Sequence, residues 1–206
     1  MRDTLIYVDV QQGTPEWLAL RAGAFTASEF DKVITPKTLK PSSQLDGYIA
    51  RLISEKFLGV AEESHQSAWM AWGLQFEDEA RRFYQMERGI DTERPGLIWM
   101  DDRKVIGCSP DAMGLEIKCP KPETHVRYLL DGVLPSEYVC QVQGLMYVVG
   151  AETWDFLSYY PGLPAFLITV ERDPVFQERL GEELENAVAK LHECQRRIAE
   201  RFEVEA

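Results

Sequence analysis

The sequence predicts an α/β fold in which a central mixed β-sheet of about five strands is flanked by helices. Three observations predict it. Helix starts and stops punctuate the first ninety residues; the apolar period shortens toward that of strands between Leu97 and Lys118; and two further β-type runs precede a long C-terminal helix. A chain of 206 residues, 45% of them apolar, can bury one substantial core, so a single domain spanning residues 1–206 is expected.

The elements follow in order. Thr14-Pro15-Glu16 offers a cap, a first-turn proline and an acid at the positive end of a helix that Gly23 should stop. Thr26-Ala-Ser-Glu29 fits a capping box opening a second helix through Phe30, Val33 and Ile34. The proline- and lysine-bearing stretch from Thr35 to Ser43 reads as a mobile basic loop, after which Tyr48, Ile49, Leu52, Ile53 and Phe57 recur at helical spacing. A long helix from Ala68 to Arg88 ends at Gly89. Leu97 to Met100, Val105 to Cys108 and Leu115 to Lys118 are short strands joined by turn residues. Helices are expected near Glu123–Asp131 and Ser136–Val149, strands at Trp154–Tyr160 and Phe166–Val170, and a final helix capped by Asp173-Pro174.

No stretch is apolar for long enough to span a bilayer, and the N-terminal residues lack the pattern of a signal peptide. A cytoplasmic protein with no membrane partner is therefore expected. Cys108, Cys119, Cys140 and Cys194 are scattered without a C-x-x-C pair, which favours reduced thiols over a zinc or iron–sulfur site. With 22 basic and 34 acidic residues the net charge is −12, an unusual balance for a nucleic-acid binder. The acids gather from Glu178 to Glu205, at Glu62-Glu63 and at Glu77-Asp78-Glu79, leaving room for a local basic groove. The acidic C-terminal helix reads as a solvated face or as a partner surface.

The chemistry-bearing stretch is Gly107-Cys-Ser-Pro-Asp-Ala-Met-Gly-Leu-Glu-Ile-Lys-Cys-Pro120. Side chains two apart on a strand share a face, with Cα atoms roughly 6–7 Å apart, so Glu116 and Lys118 should enter one pocket while Ile117 enters the core. Asp111 precedes a short turn, Ala112-Met113-Gly114, that can fold it beside them. Converging carboxylates need a cation, and Mg²⁺ takes oxygen ligands of this kind while keeping waters. An ordinary amphipathic strand also shows Glu-Ile-Lys alternation, so the triplet alone admits a surface reading.

Five motifs occur in order: Leu20-Arg-Ala-Gly-Ala-Phe-Thr-Ala-Ser-Glu29, Ala71-Trp-Gly-Leu-Gln-Phe-Glu77, Cys108-Ser-Pro-Asp111, Leu115-Glu-Ile-Lys-Cys-Pro120 and Gln141-Val-Gln143. On them, from about Gly13 to Asp173, the chain resembles the phage lambda exonuclease (YqaJ/viral recombinase) family of the PD-(D/E)xK superfamily. The resemblance implies a restriction-endonuclease-like core and a processive 5′→3′ exonuclease that degrades one strand of a double-stranded DNA end. It implies 3′ overhangs for a single-strand-annealing recombinase, a homotrimeric ring around the duplex, and a phage or bacterial origin.

By the same resemblance, Asp111, Glu116 and the Ile117 carbonyl hold Mg²⁺, with Mn²⁺ as a substitute and a second ion bridged by Asp111, while Glu77 supports the metal site. Lys118 orients the attacking water, as base or as electrostatic stabiliser. Arg21, a donor fork suited to phosphate, and Ser28 at a helix start form a 5′-phosphate pocket; a surface cation and a plain cap are the alternatives. Met70, seven residues before Glu77 and so near its helix face, is a wedge for the duplex end or a core residue. Gln141 matches the active-site glutamine; Gln143 does not share its face and is the weaker candidate. A PD-(D/E)xK endonuclease and a non-catalytic DNA-end-binding module remain as rivals.

Overall fold

The computed structural model describes residues 4–61 and 68–203, with only the backbone of residues 68–74. The elements run β1 (Ile6–Val8), α1 (Pro15–Arg21), β2 (Phe25–Thr26), a 3-10 turn (Ala27–Lys32), β3 (Ile34–Thr35), β4 (Lys40–Pro41), α2 (Leu45–Leu58) and α3 (Ala68–Arg88). They continue with β5 (Leu97–Trp99), β6 (Ile106–Cys108), β7 (Leu115–Lys118), α4 (Pro122–Asp131), a 3-10 turn (Ser136–Tyr138), α5 (Val139–Val149), β8 (Thr153–Ser158), β9 (Phe166–Glu171) and α6 (Pro174–Phe202). Helices flank mixed sheets, so the predicted α/β class holds. Among the described residues, no helix is long and apolar enough to cross a membrane.

The single sheet of about five strands is corrected to two. One has the order β1-β5-β6-β2 and the other β7-β8-β9, with β3 and β4 forming a separate ribbon. The division falls at Pro110-Asp111. Proline has no N–H for a ladder, and the Asp111 carboxylate accepts the Ile117 N–H at 2.7 Å, where a strand carbonyl would otherwise serve. Only an isolated bridge, Ala112 to Leu115, closes the hairpin. The extra strands have two or three residues each, too short for an apolar period to mark.

Two local readings are also corrected. Thr26 makes no cap hydrogen bond; its hydroxyl accepts from Arg21 Nη2 at 3.0 Å, and Glu29 pairs with Lys32 and Arg51, so the residues of the supposed capping box are engaged elsewhere. The supposed loop from Thr35 to Ser43 contains the β3–β4 ribbon, in which Ile34 pairs with Pro41 and Thr35 with Lys40. By contrast Thr14 caps α1 through Trp17 N, and Asp173 caps α6 through Val175 N and Phe176 N, as their sequence positions require.

The main core joins Phe25, Phe30, Ile49, Trp154, Phe156 and Leu180 across both sheets and the flanking helices. Helix α5 runs through it. A Cβ on Gly144 would lie 2.5 Å from the Phe30 ring, so glycine lets α5 approach the 3-10 turn closely and fixes the height of Gln141. Gln143, two residues on, faces away from Gln141. Its amide donates to Glu171 O at 2.9 Å, and its oxygen accepts from Asp173 N and Gln177 Nε2 at 3.1 and 2.9 Å. Gln143 therefore joins α5 to the start of α6, and the weaker active-site assignment is replaced by a structural one. Gln143→Leu is expected to orphan these buried groups and cost about 2–3 kcal/mol. Denaturant melts would read that loss, with activity per folded molecule unchanged.

Candidate active site

The hairpin after β6 brings the central residues together. Gly114 (φ +79) occupies a left-handed position that allows the tight reversal, and Leu115 N returns to Ala112 O at 3.0 Å. Glu116 is 2% exposed, and its Oε1 meets Lys118 Nζ at 2.6 Å and accepts from Gln141 Nε2 at 2.5 Å. Lys118 Nζ also lies 5.0 Å from the Tyr138 ring centroid, a cation–π contact from the turn preceding α5. Strand β7 thus supplies an acid and an ammonium on one face, and α5 supplies the amide that orients the acid.

Backbone polarity adds a further donor. In a parallel ladder the N–H and C=O of one residue point to the same side. Gly114 and Lys118 carbonyls accept from Asp155 and Tyr159 on the β8 side, whereas Ile117 N donates to Asp111. The Ile117 carbonyl consequently faces the Asp111 edge.

Helix α3 brings Glu77 to the same place. Its Oε1 accepts from Arg81 Nη2 at 2.9 Å and contacts Arg94 Nη2 at 2.8 Å. Burial raises the Glu77 carboxyl and Asp111 raises it further, while the two arginines pull it down. Burial likewise raises Asp111, opposed by Lys118 and by the Ile117 N–H. Burial pushes Glu116 up to about 8, Lys118 lowering it and Asp111 adding to the rise. Burial disfavours the Lys118 ammonium, but Glu116 and Asp111 outweigh it and the net shift is upward. Carboxylates at this density disfavour their own ionisation, and a divalent cation relieves that cost.

Among the described residues, no three His, Cys, Asp or Glu side chains group to hold a metal alone. The oxygens that could hold a metal are those of the half-buried Asp111 carboxylate, the buried Glu116 carboxylate and the Ile117 main-chain carbonyl, all hard donors. They fit Mg²⁺, which keeps several waters beside one or two carboxylates.

The second cluster lies along α1. The Arg21 guanidinium stacks on Trp17 at 4.0 Å and donates to Thr26 Oγ1, which lies 3.4 Å from the exposed Ser28 hydroxyl. Arg21 Nε is buried without a partner, and burial lowers the pKa of the group against the opposing influence of Glu29. A cavity of about 40 Å³ borders Arg21, Thr26, Glu29 and Glu55. Trp17 Nε1 donates to Ser109 Oγ at 3.0 Å and to Gly96 O at 3.1 Å, so the two clusters share a rigid connection two residues from Asp111.

The structure brings Asp111, Glu116, Lys118, Gln141 and Glu77 into one site and places Arg21 with Ser28 beside it. Met70 lies on α3, and its side chain is outside the described residues. Sequence reasoning missed Arg81, Arg94, Trp17, Ser109 and Tyr138. Arg81 stands four residues after Glu77 and was legible as a helical ion pair; Arg94 comes from a loop, and no spacing announces it.

A search of curated proteins finds no match. Two structures of LHK-Exo, an alkaline exonuclease from Laribacter hongkongensis, one of them in complex with dAMP, are 32% identical to the chain with a TM-score of 0.75. Each match covers 91% of this chain and 99% of theirs. A phage-related exonuclease structure from Haemophilus somnus shares the fold at 14% identity and a TM-score of 0.56, over 92% of this chain and 96% of that one. The profile of the YqaJ-like viral recombinase domain matches residues 16–152, which hold all of α1 but its first residue, the Asp111 hairpin and Gln141. With that profile spanning more than half its length, the chain belongs to the YqaJ-like viral recombinase family.

Proposed function

We propose that residues 1–206 act as one nuclease domain, a divalent-metal-dependent exonuclease that degrades one strand of linear duplex DNA in the 5′→3′ direction. The observation that carries this reading is the buried Glu116 beside the half-buried Asp111, with Lys118 on the same strand face as Glu116. Family membership and a dAMP-bound exonuclease relative support it. The 3′ overhangs would serve an annealing recombinase.

Asp111, Glu116 and the Ile117 carbonyl would hold Mg²⁺, or Mn²⁺ in its place, with Asp111 shared by a second ion. When bound, the metal supplies positive charge that makes water a better nucleophile and stabilises the leaving 3′-oxygen. Gln141 fixes the Glu116 rotamer. Lys118, held as an ammonium by Glu116 and Asp111, orients the attacking water and offsets charge growing on the phosphate. Glu77 adds negative charge beside Asp111. The test is to incubate 5′-phosphorylated linear duplex and closed circular plasmid with Mg²⁺. Mononucleotides from linear DNA alone support the exonuclease, cutting of the circle supports the endonuclease, and no cutting leaves a binding module.

Three further outcomes are expected. A carboxyl raised by burial binds its proton more tightly in the folded protein, so metal must displace that proton below about pH 8. Apparent Mg²⁺ affinity should therefore rise about tenfold per pH unit up to that value and then level. Calorimetric titrations at pH 6 to 9 would read it, and a flat profile would count against Glu116 as ligand.

Arg21 and Ser28 would receive the 5′ phosphate. Arg21→Ala should lower the rate on 5′-phosphorylated ends on the order of tenfold while leaving 5′-hydroxyl ends nearly unchanged. Paired substrates measure that ratio. With a net charge of −12, enclosure of the duplex by a ring of three subunits would keep the protein on DNA. Sedimentation at working concentration is expected to give the trimer.

A further inference from the structure

Resting on the nuclease reading, we infer that Arg94 is a substrate-binding residue that grips a backbone phosphate beside the scissile linkage. Glu77 Oε1 already has a counterion in Arg81, which hydrogen-bonds it from a side chain 16% exposed. Arg94 touches the same oxygen at 2.8 Å, but its side chain is 38% exposed and the contact is an ion pair without hydrogen-bond alignment. Among the described residues it makes no other ion pair or hydrogen bond, and beyond Glu77 it acts on Asp111 only through its charge. Its guanidinium carries five donors in a planar fork, the geometry that matches two phosphate oxygens.

The backbone around Arg94 is held far more firmly than its head. Glu93 O accepts from Met113 N at 2.9 Å, tying the loop to the turn between Asp111 and Glu116. Pro95 O accepts from Gln12 Nε2 at 2.8 Å, and the same amide reaches Pro110 O at 3.0 Å. Pro95 restricts Arg94 to extended backbone. A rigid base with a loosely engaged cation at the edge of the site is suited to meeting an incoming anion.

Charge balance points the same way. Glu77, Asp111 and Glu116 face Lys118, Arg81 and Arg94, three acids against three bases, so the acids hold no excess of negative charge over the cations around them. Divalent cations on Asp111 and Glu116 would leave a positive surplus, and DNA phosphates are the anions that offset it. Arg94, the most exposed cation of the set, is the one free to leave Glu77 for a phosphate.

The test is a cycle between the side chain and individual phosphates. Single-turnover cleavage is measured on 5′-phosphorylated duplexes carrying one neutral methylphosphonate at each of the first linkages beyond the scissile one. Wild type should slow on the order of tenfold at one linkage. Arg94→Ala should be slower by a similar factor on unmodified DNA and should lose nothing more at that linkage. Arg94→Lys, which keeps the charge without the fork, should fall between them, and equal melting temperatures confirm folding. Penalties that multiply at every linkage, as a purely structural role would give, or wild-type rates in Arg94→Ala, overturn the inference. A wild type that leaves unmodified duplex uncut fails the nuclease reading itself.

Discussion

Asp111→Asn is expected to abolish cleavage while raising the melting temperature of the metal-free protein. The amide oxygen can still accept the Ile117 N–H, so the hairpin closes as before. What disappears is a half-buried, desolvated charge. Burial raises the Asp111 carboxyl, so the folded state holds this proton more tightly than the unfolded state does. Stability from that proton is present below the ordinary carboxylate range and lost as pH rises through the folded value. At pH 8 the wild type carries the cost and the asparagine variant does not, a difference of about 2–4 °C in melting temperature if it amounts to about 1 kcal/mol. The gap should close as pH falls toward the ordinary carboxylate range. Added Mg²⁺ should raise the wild-type melting temperature and leave the variant unmoved. Cleavage should fall on the order of a thousandfold or more. A variant less stable than wild type at pH 8 would contradict the electrostatic reading.

Lys118→Ala is expected to keep duplex binding and lose cleavage by roughly a hundred- to a thousandfold. Lys118 Nζ stands 2.6 Å from Glu116 Oε1 and over Tyr138, so its removal takes away the positive charge closest to Glu116. The Glu116 carboxyl, already raised by burial, then rises further, because Lys118 is what pulls it down. Metal affinity should consequently drop at neutral pH and recover in alkaline buffer, where Glu116 is ionised. Cleavage should not recover with it. Single-turnover rates at saturating Mg²⁺ and high pH separate these effects. Near wild-type cutting under those conditions would remove Lys118 from the chemistry.

The site's strand was legible because its signal is local. Asp111, Gly114, Glu116 and Lys118 sit within eight positions, and period 2 with one turn residue suffices to bring them together. Glu77 and Gln141 became legible through family motifs, and helix phase together with the motif match separated Gln141 from Gln143. The division of the sheet was not legible, since it depends on the Asp111 side chain substituting for a carbonyl opposite Ile117. The 3-10 turn at Ala27–Lys32 escaped for a similar reason. Thr26 fits a cap by sequence, but Arg21, five residues earlier, takes its hydroxyl. Arg94 escaped because a loop residue reaches Glu77 only through tertiary anchoring by Met113 and Gln12.

The central claim is that Asp111 and the buried Glu116 take a divalent cation used to cut DNA from a 5′ end. Its most direct measurement is mononucleotide release from a 5′-phosphorylated linear duplex, followed for wild type and Asp111→Asn in Mg²⁺ and for wild type in excess chelator. Release by wild type in Mg²⁺ alone is the expected result. Comparable release in chelator, or by Asp111→Asn, would contradict it.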